Sequence, residues 1–134
     1  MRQTLHKTAV QLVADANEQI ESLSVEELDA EIQSNGLVLL DVREADEYRV
    51  EAIPGALLAA RGMLEFYADP TSNFHRYGLQ PTQRVVLYCG SGGRSALAAL
   101  ALKSMGYSRV AQLRGGFKAW KAEGKACTRD IVVK

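Results

Sequence analysis

The sequence lacks an excess of charge of either sign and has few cysteines and few aromatic residues. Its 134 residues include 16 Lys and Arg against 16 Asp and Glu, which gives a formal net charge of zero. Nucleic-acid-binding modules and polybasic membrane anchors carry a clear basic excess, so we expect neither nucleic acid nor a membrane as a partner. No apolar run approaches the ~18–20 residues that a membrane-spanning helix needs.

The first twenty residues and the two cysteines narrow the class of protein further. Asp15 and Glu18 interrupt the N-terminal segment, which has no continuous apolar core and does not match a secretory signal. Cys89 and Cys127 show neither a CxxC motif nor a spacing typical of metal ligands, so we expect no metal site. The length of the chain predicts one soluble domain. Because a single pair of cysteines is not a disulfide framework, we expect this domain in the reducing cytoplasm.

Helical and strand patterns alternate through most of the chain. Helices are predicted over 5–20, from the Ser24–Glu27 capping box to Asn35, and over 44–50, 62–66, 94–105 and 115–124. Short apolar runs predict strands over 37–40, 56–59, 85–88 and 110–113. This alternation predicts an α/β domain with a mostly parallel sheet and helices on both faces. Reactive loops in such sheets lie beyond the carboxyl ends of the strands.

The loop after the strand at 85–88 combines a cysteine, small residues and a cation. Cys89 ends the strand, and the loop continues through Gly90, Ser91, Gly92, Gly93, Arg94 and Ser95 into the next helix. Glycines let such a turn aim successive N–H groups inward as an anion-binding nest, and the helix N-terminus and Arg94 add positive charge. These groups favour a thiolate over a thiol, so we expect the pKa of Cys89 to be lowered.

Taken alone, this loop is also compatible with two roles that involve no reactive cysteine. Free cysteine is among the most buried residue types, and most buried cysteines are inert packing residues. A glycine-rich turn between a strand and a helix also binds phosphate without covalent chemistry. The rest of the sequence pattern is needed to choose among these roles.

Several further motifs follow one another in a recognisable order. They are LLDVRE (39–44), EY (47–48), IPGA (53–56), VLYC (86–89), RS (94–95), and GGF (115–117) followed by Trp120. On these motifs the chain resembles a single-domain rhodanese over roughly residues 21–124, and its RGMLEF run (61–66) resembles a subset of bacterial members. The resemblance implies a five-stranded, mostly parallel sheet. We divide the chain into an N-terminal helical extension over 1–20, which lies outside the resemblance, a rhodanese-like domain over 21–126 and a C-terminal tail over 127–134.

The resemblance implies sulfur transfer through a covalent intermediate. Cys89 would take a sulfane sulfur from a small sulfur-containing anion such as thiosulfate and become a persulfide. Cyanide, a thiol or a protein acceptor would then remove that sulfur in a ping-pong scheme, with no metal or organic cofactor required. The resemblance identifies neither the physiological donor nor the acceptor, and both a monomer and a homodimer are compatible with the chain.

Charged residues around the two loops have alternative roles. Arg94 either grips the anion or forms an ion pair with Asp41 that fixes the loop. Asp41 ends the strand at 37–40 and is expected to face the same pocket, where it orients Arg94 or loop amides. Arg43 is expected to pair with Glu47 on the following short helix.

Residues close to these motifs carry weaker expectations. Ser95 either contributes its hydroxyl to the loop or caps the helix. Arg61 either binds an anionic donor or lies in solvent. Cys127 is interpreted as a bystander, with a relay thiol as the alternative. Glu51-Ala52 stands where rhodaneses usually have Gly-His, which bears on the local loop geometry rather than on the cysteine chemistry.

Two competing functions follow from the same residues. Cysteine phosphatases and arsenate reductases also place a thiolate in an anion loop before an arginine, but the related cell-cycle phosphatases have a longer loop between the two. The four residues between Cys89 and Arg94 suit a sulfur atom better than a tetrahedral phosphoryl group. A non-enzymatic domain that carries or senses a persulfide is the second competing function.

Overall fold

The computed structural model describes residues 4–133 as an α/β fold; residues 1–3 and 134 lie outside it. The helices are α1 (Ala9–Gln19), α2 (Val25–Gln33), α3 (Ala45–Val50), α4 (Leu64–Ala68), α5 (Gly93–Met105) and α6 (Gly116–Ala122), with a 3-10 turn over Arg61–Met63 before α4. The strands are β1 (Glu21–Leu23), β2 (Val38–Asp41), β3 (Glu51–Ala52), β4 (Leu57–Leu58), β5 (Val85–Tyr88), β6 (Val110–Leu113) and β7 (Thr128–Arg129).

Five of the strands form one sheet in the order β1-β6-β5-β2-β4, and every neighbouring pair is parallel. The predicted five-stranded parallel sheet is therefore confirmed. Its outer strand β1 was not anticipated, because three residues with one buried side chain give too short an apolar pattern. Asp41 lies opposite Tyr88 in the register of β2 and β5, so the loops that follow these strands leave the same edge of the sheet.

The sheet is buried on both faces, as the continuous apolar runs predict. Leu39 and Val86 point into a core shared with α2, α3 and α6, whereas Leu40 and Leu87 point into a second core shared with α4 and α5. Helix α1 packs on α5 and therefore lies on the second face. The division into an extension over 1–20, a domain over 21–126 and a tail over 127–134 stays a prediction.

Local signals in the sequence account for the limits of α2. Ser24 accepts from the amide of Glu27 at 3.1 Å, and the Glu27 carboxylate accepts from the amide of Ser24 at 2.8 Å, which is the predicted capping box. Asn35 follows the helix with a φ of 63°, in the left-handed region where a helix commonly stops. Helix α1 has a corresponding box between Thr8 and Gln11 that was not predicted.

A small second sheet joins the C-terminal tail to the domain. Strand β7 pairs antiparallel with β3, and beyond it the amide of Ile131 donates to the carbonyl of Arg49 at 2.8 Å. The Glu51 carboxylate accepts from Lys121 and Arg129 at 2.6 and 3.0 Å. Glu51 and Ala52, which stand where the family usually has Gly-His, thus form the strand that pairs with the C-terminal strand β7. No helix within residues 4–133 has the length and apolar character needed to cross a membrane.

Candidate active site

Cys89 lies at the carboxyl end of β5, enclosed by the loop that leads into α5. The residue is 1% exposed. Its Sγ accepts the amide of Gly92 at 3.1 Å and lies 3.4 Å from Ser95 Oγ, to which the thiol donates. Gly92 is the N-cap of α5 and has a φ of 120°, which an L side chain rarely adopts. The glycine therefore permits the turn that directs its own amide at the sulfur.

The environment of the sulfur favours its ionised form. Burial on its own raises the pKa of the Cys89 thiol, but the Ser95 hydroxyl and the amides of Ser95, Gly92 and Ser91 act in the opposite direction and prevail. The pKa of Cys89 consequently lies below the ordinary thiol value, in the direction that the sequence predicts. The loop thus combines a buried nucleophilic atom with donors that stabilise negative charge on it.

The first turn of α6 is attached to the backbone of the cysteine loop. The amide of Phe117 donates to the carbonyl of Cys89 at 2.8 Å, and the amide of Lys118 donates to the carbonyl of Gly90 at 3.0 Å. Gly116 makes this approach possible, because a Cβ at that position would lie 2.6 Å from both carbonyl oxygens. The double-glycine motif before Phe117 therefore serves close contact between two loops at the carboxyl edge of the sheet.

Arg94 forms an ion pair with Glu47 of α3, so the predicted alternative of a pair with Asp41 is wrong. Its guanidinium donates to the two carboxylate oxygens of Glu47 at 2.8 and 3.2 Å. The hydrogen bond from Arg94 lowers the pKa of Glu47. Because the side chains are 42% and 39% exposed, the pair lies at the surface of the loop, within reach of an anion from solvent.

Asp41 pairs instead with Arg43, which corrects the expected Arg43–Glu47 pair. The Asp41 carboxylate is buried and accepts from the amide of Arg43 at 2.9 Å and from its guanidinium at 2.7 to 3.1 Å. Arg43 also donates to the carbonyl of Glu51 at 2.7 Å and lies over the ring of Phe117 at 4.6 Å. Asp41 therefore orients Arg43 rather than Arg94, and the pair supports the start of α6.

Arg61 is attached to the loop after β2 by its backbone and to its own helical turn by its side chain. Its amide donates to the carbonyl of Val42 at 3.1 Å. Its guanidinium pairs with Glu65 at 2.8 Å and is 33% exposed. The structure thus gives Arg61 a local partner, and its part in binding a donor stays a prediction.

Gln112 connects the cysteine loop to the N-terminal helix. It is 4% exposed, and its Oε1 accepts from the Ser95 hydroxyl at 2.7 Å. Its Nε2 donates to Oδ1 of Asn17 at 2.7 Å and to the hydroxyl of Ser22 at 3.3 Å. A cleft of about 600 Å³ lies beside this chain of hydrogen bonds, bordered by α1, by Arg114 and by Ser91, Gly92 and Gly93 of the cysteine loop.

Comparison with known protein families matches residues 24–123 to the rhodanese-like domain. The chain belongs to this family. The match covers every element from α2 to α6 and contains the cysteine loop. Helix α1 and strands β1 and β7 lie outside the matched residues.

Several relatives of this rhodanese-like domain have names that refer to sulfur transfer. A sulfurtransferase of Allochromatium vinosum is 37% identical over 107 residues, which cover 75% of this chain and 92% of that protein. Thiosulfate sulfurtransferase GlpE of Coxiella burnetii is 31% identical over 91 residues, 68% of this chain and 78% of that protein. YrkF of Bacillus subtilis is 30% identical over 102 residues, 75% of this chain, which spans about half of that protein, 51% of its length.

A solved structure extends the similarity to almost the whole rhodanese-like chain. Protein RPA3614 of Rhodopseudomonas palustris superposes with a TM-score of 0.87 at 37% identity, covering 96% of this chain and 99% of that one. It is described as a protein of unknown function and a possible tyrosine phosphatase. Its coverage is large enough to include elements outside the matched family region.

Gln112 and Asn17 are neighbours of this rhodanese-like site that were not predicted from the sequence, and Glu47 was predicted to pair with Arg43 rather than with Arg94. A signal was available for Gln112, because it is the one polar residue in a four-residue strand whose buried pattern demands hydrogen-bond partners. No comparable signal marked Asn17, which lies among polar residues of an exposed helix. The partner of Arg94 depends on how α3 is oriented against the loop, which the sequence does not specify.

The second cysteine lies on the opposite side of the sheet from Cys89. Cys127 packs against the core formed with α2, α3 and α6, whereas Cys89 belongs to the core formed with α4 and α5. Burial and, to a smaller extent, the Glu51 carboxylate raise the pKa of Cys127. Among residues 4–133, His, Cys, Asp and Glu side chains form no cluster of three or more that is suited to a metal ion.

Proposed function

We propose that this protein is a sulfurtransferase that carries a sulfane sulfur as a persulfide on Cys89. One observation supports this most: the Cys89 sulfur accepts the Gly92 amide, touches the Ser95 hydroxyl and has a lowered pKa. A persulfide is an anion like the thiolate, so the same donors suit both states of the sulfur. The names of the relatives from Allochromatium vinosum and Coxiella burnetii agree with this chemistry.

The loading step uses the Cys89 thiolate as nucleophile. The thiolate attacks the outer sulfur of thiosulfate, a sulfur–sulfur bond forms to the enzyme, and the sulfur–sulfur bond of thiosulfate breaks. Sulfite leaves with the electron pair of the broken bond, and Cys89 becomes a persulfide. No proton has to be removed during this step, because the attacking group is the thiolate, which the lowered pKa of Cys89 makes more accessible.

The unloading step returns the enzyme to its starting state. A nucleophile, either cyanide or the thiolate of a small thiol or protein, attacks the outer sulfur of the persulfide. The new bond forms between acceptor and sulfur, and the electron pair of the broken bond returns to Cys89 as a thiolate. Thiocyanate is the product with cyanide, and a persulfide of the acceptor is the product with a thiol.

Arg94 and the cleft beside the loop are the proposed route of the donor. The Arg94 guanidinium is 42% exposed and offers a positive charge at the mouth of the loop. The cleft of about 600 Å³ borders Ser91, Gly92 and Gly93, and its size lies within the range of small-molecule sites, about 300–1,000 Å³. We assign Arg94 to donor binding and Ser95 to stabilising the sulfur anion, while Asp41 and Arg43 act by supporting α6.

A phosphatase is the second candidate, because RPA3614 is described as a possible tyrosine phosphatase. Its chemistry would also use the Cys89 thiolate, but the oxygen atoms of a phosphoryl group need more amide donors than one sulfur atom. Four residues lie between Cys89 and Arg94, and three of them are glycines. This short loop favours sulfur transfer over phosphoryl transfer.

Intact mass measurement tests the proposed function directly. The protein is incubated with thiosulfate, separated from the excess and weighed, and we expect a gain of one sulfur atom that cyanide then removes. Cys127→Ser should gain the atom, and Cys89→Ser should not. Absence of any gain with thiosulfate and with further sulfane donors contradicts the proposal. Hydrolysis of a phosphotyrosine analogue that depends on Cys89 would favour the phosphatase instead.

A further inference from the structure

The Ser95 hydroxyl has one proton and three neighbours that can accept it. These are Cys89 Sγ at 3.4 Å, the carbonyl oxygen of Gly92 at 3.3 Å and Gln112 Oε1 at 2.7 Å. Ser95 is fully buried, so its hydroxyl makes its hydrogen bonds within the protein. The direction in which this hydroxyl points therefore determines whether it donates to the nucleophilic sulfur.

With a protonated thiol, every donor in the row of hydrogen bonds from Cys89 to Asn17 faces an acceptor. The thiol of Cys89 donates to Ser95, and Ser95 donates to Gln112 across the shortest of its contacts. The amide nitrogen of Gln112 then donates to Asn17 Oδ1 at 2.7 Å and to Ser22 at 3.3 Å. Gln112 presents an oxygen to the serine because its nitrogen faces the oxygen of Asn17.

Ionisation of Cys89 disturbs this pairing of donors and acceptors. The thiolate no longer donates to Ser95 and instead requires the Ser95 proton. If the hydroxyl turns to the sulfur, its oxygen is left facing Gln112 Oε1 at 2.7 Å, with no hydrogen between two acceptors. Rotation of the Gln112 amide removes the conflict, because its nitrogen then donates to Ser95 while Ser95 donates to the sulfur.

We propose that Gln112 and Asn17 are positioning residues whose side-chain amides turn together when Cys89 ionises, so that the Ser95 hydroxyl donates to the thiolate. After both amides turn, Asn17 donates to Gln112 Oε1, and the Ser22 hydroxyl donates to the same oxygen. The thiol proton leaves to solvent, and only hydrogen bonds change among the remaining groups. This inference rests on the proposed function only in using the Cys89 thiolate as the working state.

The surroundings allow the two amides to turn. Asn17 and Gln112 both border the cleft of about 600 Å³, so the Asn17 amide has free space on one side. Within residues 4–133 the Asn17 side chain has Gln112 as its one hydrogen-bond partner, and no second hydrogen bond fixes its orientation. Helix α1, which lies outside the matched family region, is thereby coupled to the nucleophile.

Charged groups near the loop act on Cys89 separately from this chain of hydrogen bonds. Arg94 on α5 interacts electrostatically with Cys89, and it forms an ion pair with Glu47 on α3. Other charged residues on the elements around the loop include the paired Asp41 of β2 and Arg43, Arg114 before α6, Lys118 on α6, and Asp15 and Glu18 on α1. None of these side chains hydrogen-bonds to Ser95, Gln112 or Asn17 in the part of the chain that the structure describes.

Asn17→Asp tests the proposal, because a carboxylate can only accept. It would hold the nitrogen of Gln112 toward position 17, keep Gln112 Oε1 toward Ser95, and deny the thiolate its hydroxyl donor. The rate of Cys89 alkylation by iodoacetamide is measured against pH in full-length protein carrying Cys127→Ser. We expect the midpoint to rise by about one pH unit, because a hydrogen bond to a charged group is lost. Asn17→Ala, which imposes no orientation, should keep the midpoint near that of the parent.

The added charge of Asn17→Asp is separated from the hydrogen-bond effect by repeating the substitution in Ser95→Ala. Without the hydroxyl only the Coulomb effect of the carboxylate remains, so we expect less than half of the shift seen with Ser95 present. Equal shifts in the two backgrounds, or no shift in either, would overturn the proposal. The gain of sulfur from thiosulfate is measured in parallel by intact mass. If the midpoint shift depends on Ser95 but no sulfur is gained, only the proposed function is contradicted. If sulfur is gained but the midpoint shift does not depend on Ser95, only this inference is contradicted.

Discussion

The amide of Phe117 donates to the carbonyl oxygen of Cys89 across 2.8 Å, which joins the start of α6 to the loop that holds the proposed nucleophile. The ring of Phe117 lies 4.6 Å from the guanidinium of Arg43, and Arg43 is held by the buried Asp41 carboxylate. The geometry around the sulfur therefore depends on residues from three separate segments of the chain. Substitutions that move α6 should act on the chemistry of Cys89 without touching the sulfur.

Gly116→Ala is the most direct test of this attachment. Both Gly116 and Gly124 have a positive φ, 63° and 74°, but a Cβ at 116 would lie 2.6 Å from two backbone oxygens, whereas one at 124 meets nothing within 4 Å. Gly124→Ala should cost about 1–2 kcal/mol of unfolding free energy through backbone strain alone. Gly116→Ala should cost more and also raise the alkylation midpoint of Cys89, as measured by urea unfolding and iodoacetamide kinetics. Equal effects of the two substitutions would contradict the steric argument.

The two cysteines should ionise in different pH ranges. Burial opposes ionisation of both, but the Ser95 hydroxyl and loop amides lower the pKa of Cys89, whereas the Glu51 carboxylate adds to burial and raises the pKa of Cys127. Alkylation followed site by site by peptide mass spectrometry should give a lower midpoint pH for Cys89. Ser95→Ala should move the Cys89 midpoint upward and leave that of Cys127 in place, with Ser104→Ala on the same helix as the control. A shared midpoint would show that the loop does not stabilise the thiolate.

Arg94 should matter to the donor more than its ion-pair partner does. The pair with Glu47 is well exposed, so removing it should change the unfolding free energy by no more than about 1 kcal/mol. If Arg94 contacts an anionic donor, Arg94→Ala should raise the KM for thiosulfate about tenfold, and Glu47→Gln should not. Steady-state kinetics and thermal unfolding measure the two effects. Matching rises in KM for both variants would indicate that the pair acts only by fixing the loop.

The elements that carry the site could be predicted because their signals are local. A capping box, a left-handed Asn35 and continuous apolar runs depend on neighbouring residues, and the parallel order of β2 and β5 brings Asp41 and Cys89 to one edge. Strands β1, β3 and β7 have two or three residues each, which is too short for any periodicity. Their pairing arises from tertiary contacts that a single sequence does not display.

The partners of the charged residues could not be predicted for a related reason. Two carboxylates and two guanidinium groups follow the sheet at one edge, and sequence spacing alone allows more than one pairing among them. The turn after β2 brings Arg43 back onto the Asp41 carboxylate, which leaves Glu47 for Arg94. Burial decides which ion pairs form, because the buried carboxylate of Asp41 needs a cation that is buried beside it, and Arg43 is that cation.

Arg43 is expected to act through stability rather than by contacting an anion. Arg43→Met leaves the buried Asp41 carboxylate without its cation and should cost about 3–5 kcal/mol of unfolding free energy. Asp41→Asn added to Arg43→Met should recover part of that loss, because the uncompensated charge is removed while an acceptor for the amide of residue 43 remains. Urea unfolding measures both, with Arg49→Met at the exposed Asp46 pair as a control worth no more than about 1 kcal/mol. A further loss in the double variant would contradict this stabilising role of the buried pair.

Acid should weaken the fold through carboxylates that arginines hold in the ionised form. Arg84 is largely buried and bridges Glu31 of α2 and Glu21 of β1, and its hydrogen bond lowers the pKa of Glu31 below the ordinary value of 4.5. Because the folded pKa is the lower one, the stabilisation is complete above about pH 4.5 and is lost as the pH falls through the folded value. Thermal unfolding from pH 7 to pH 3 should show a decline below pH 4.5 that is shallower in Glu31→Gln than in the parent. Glu123→Gln, at an exposed position, should retain the parental decline, and an unchanged slope in Glu31→Gln would show that Arg84 does not stabilise the fold through this carboxylate.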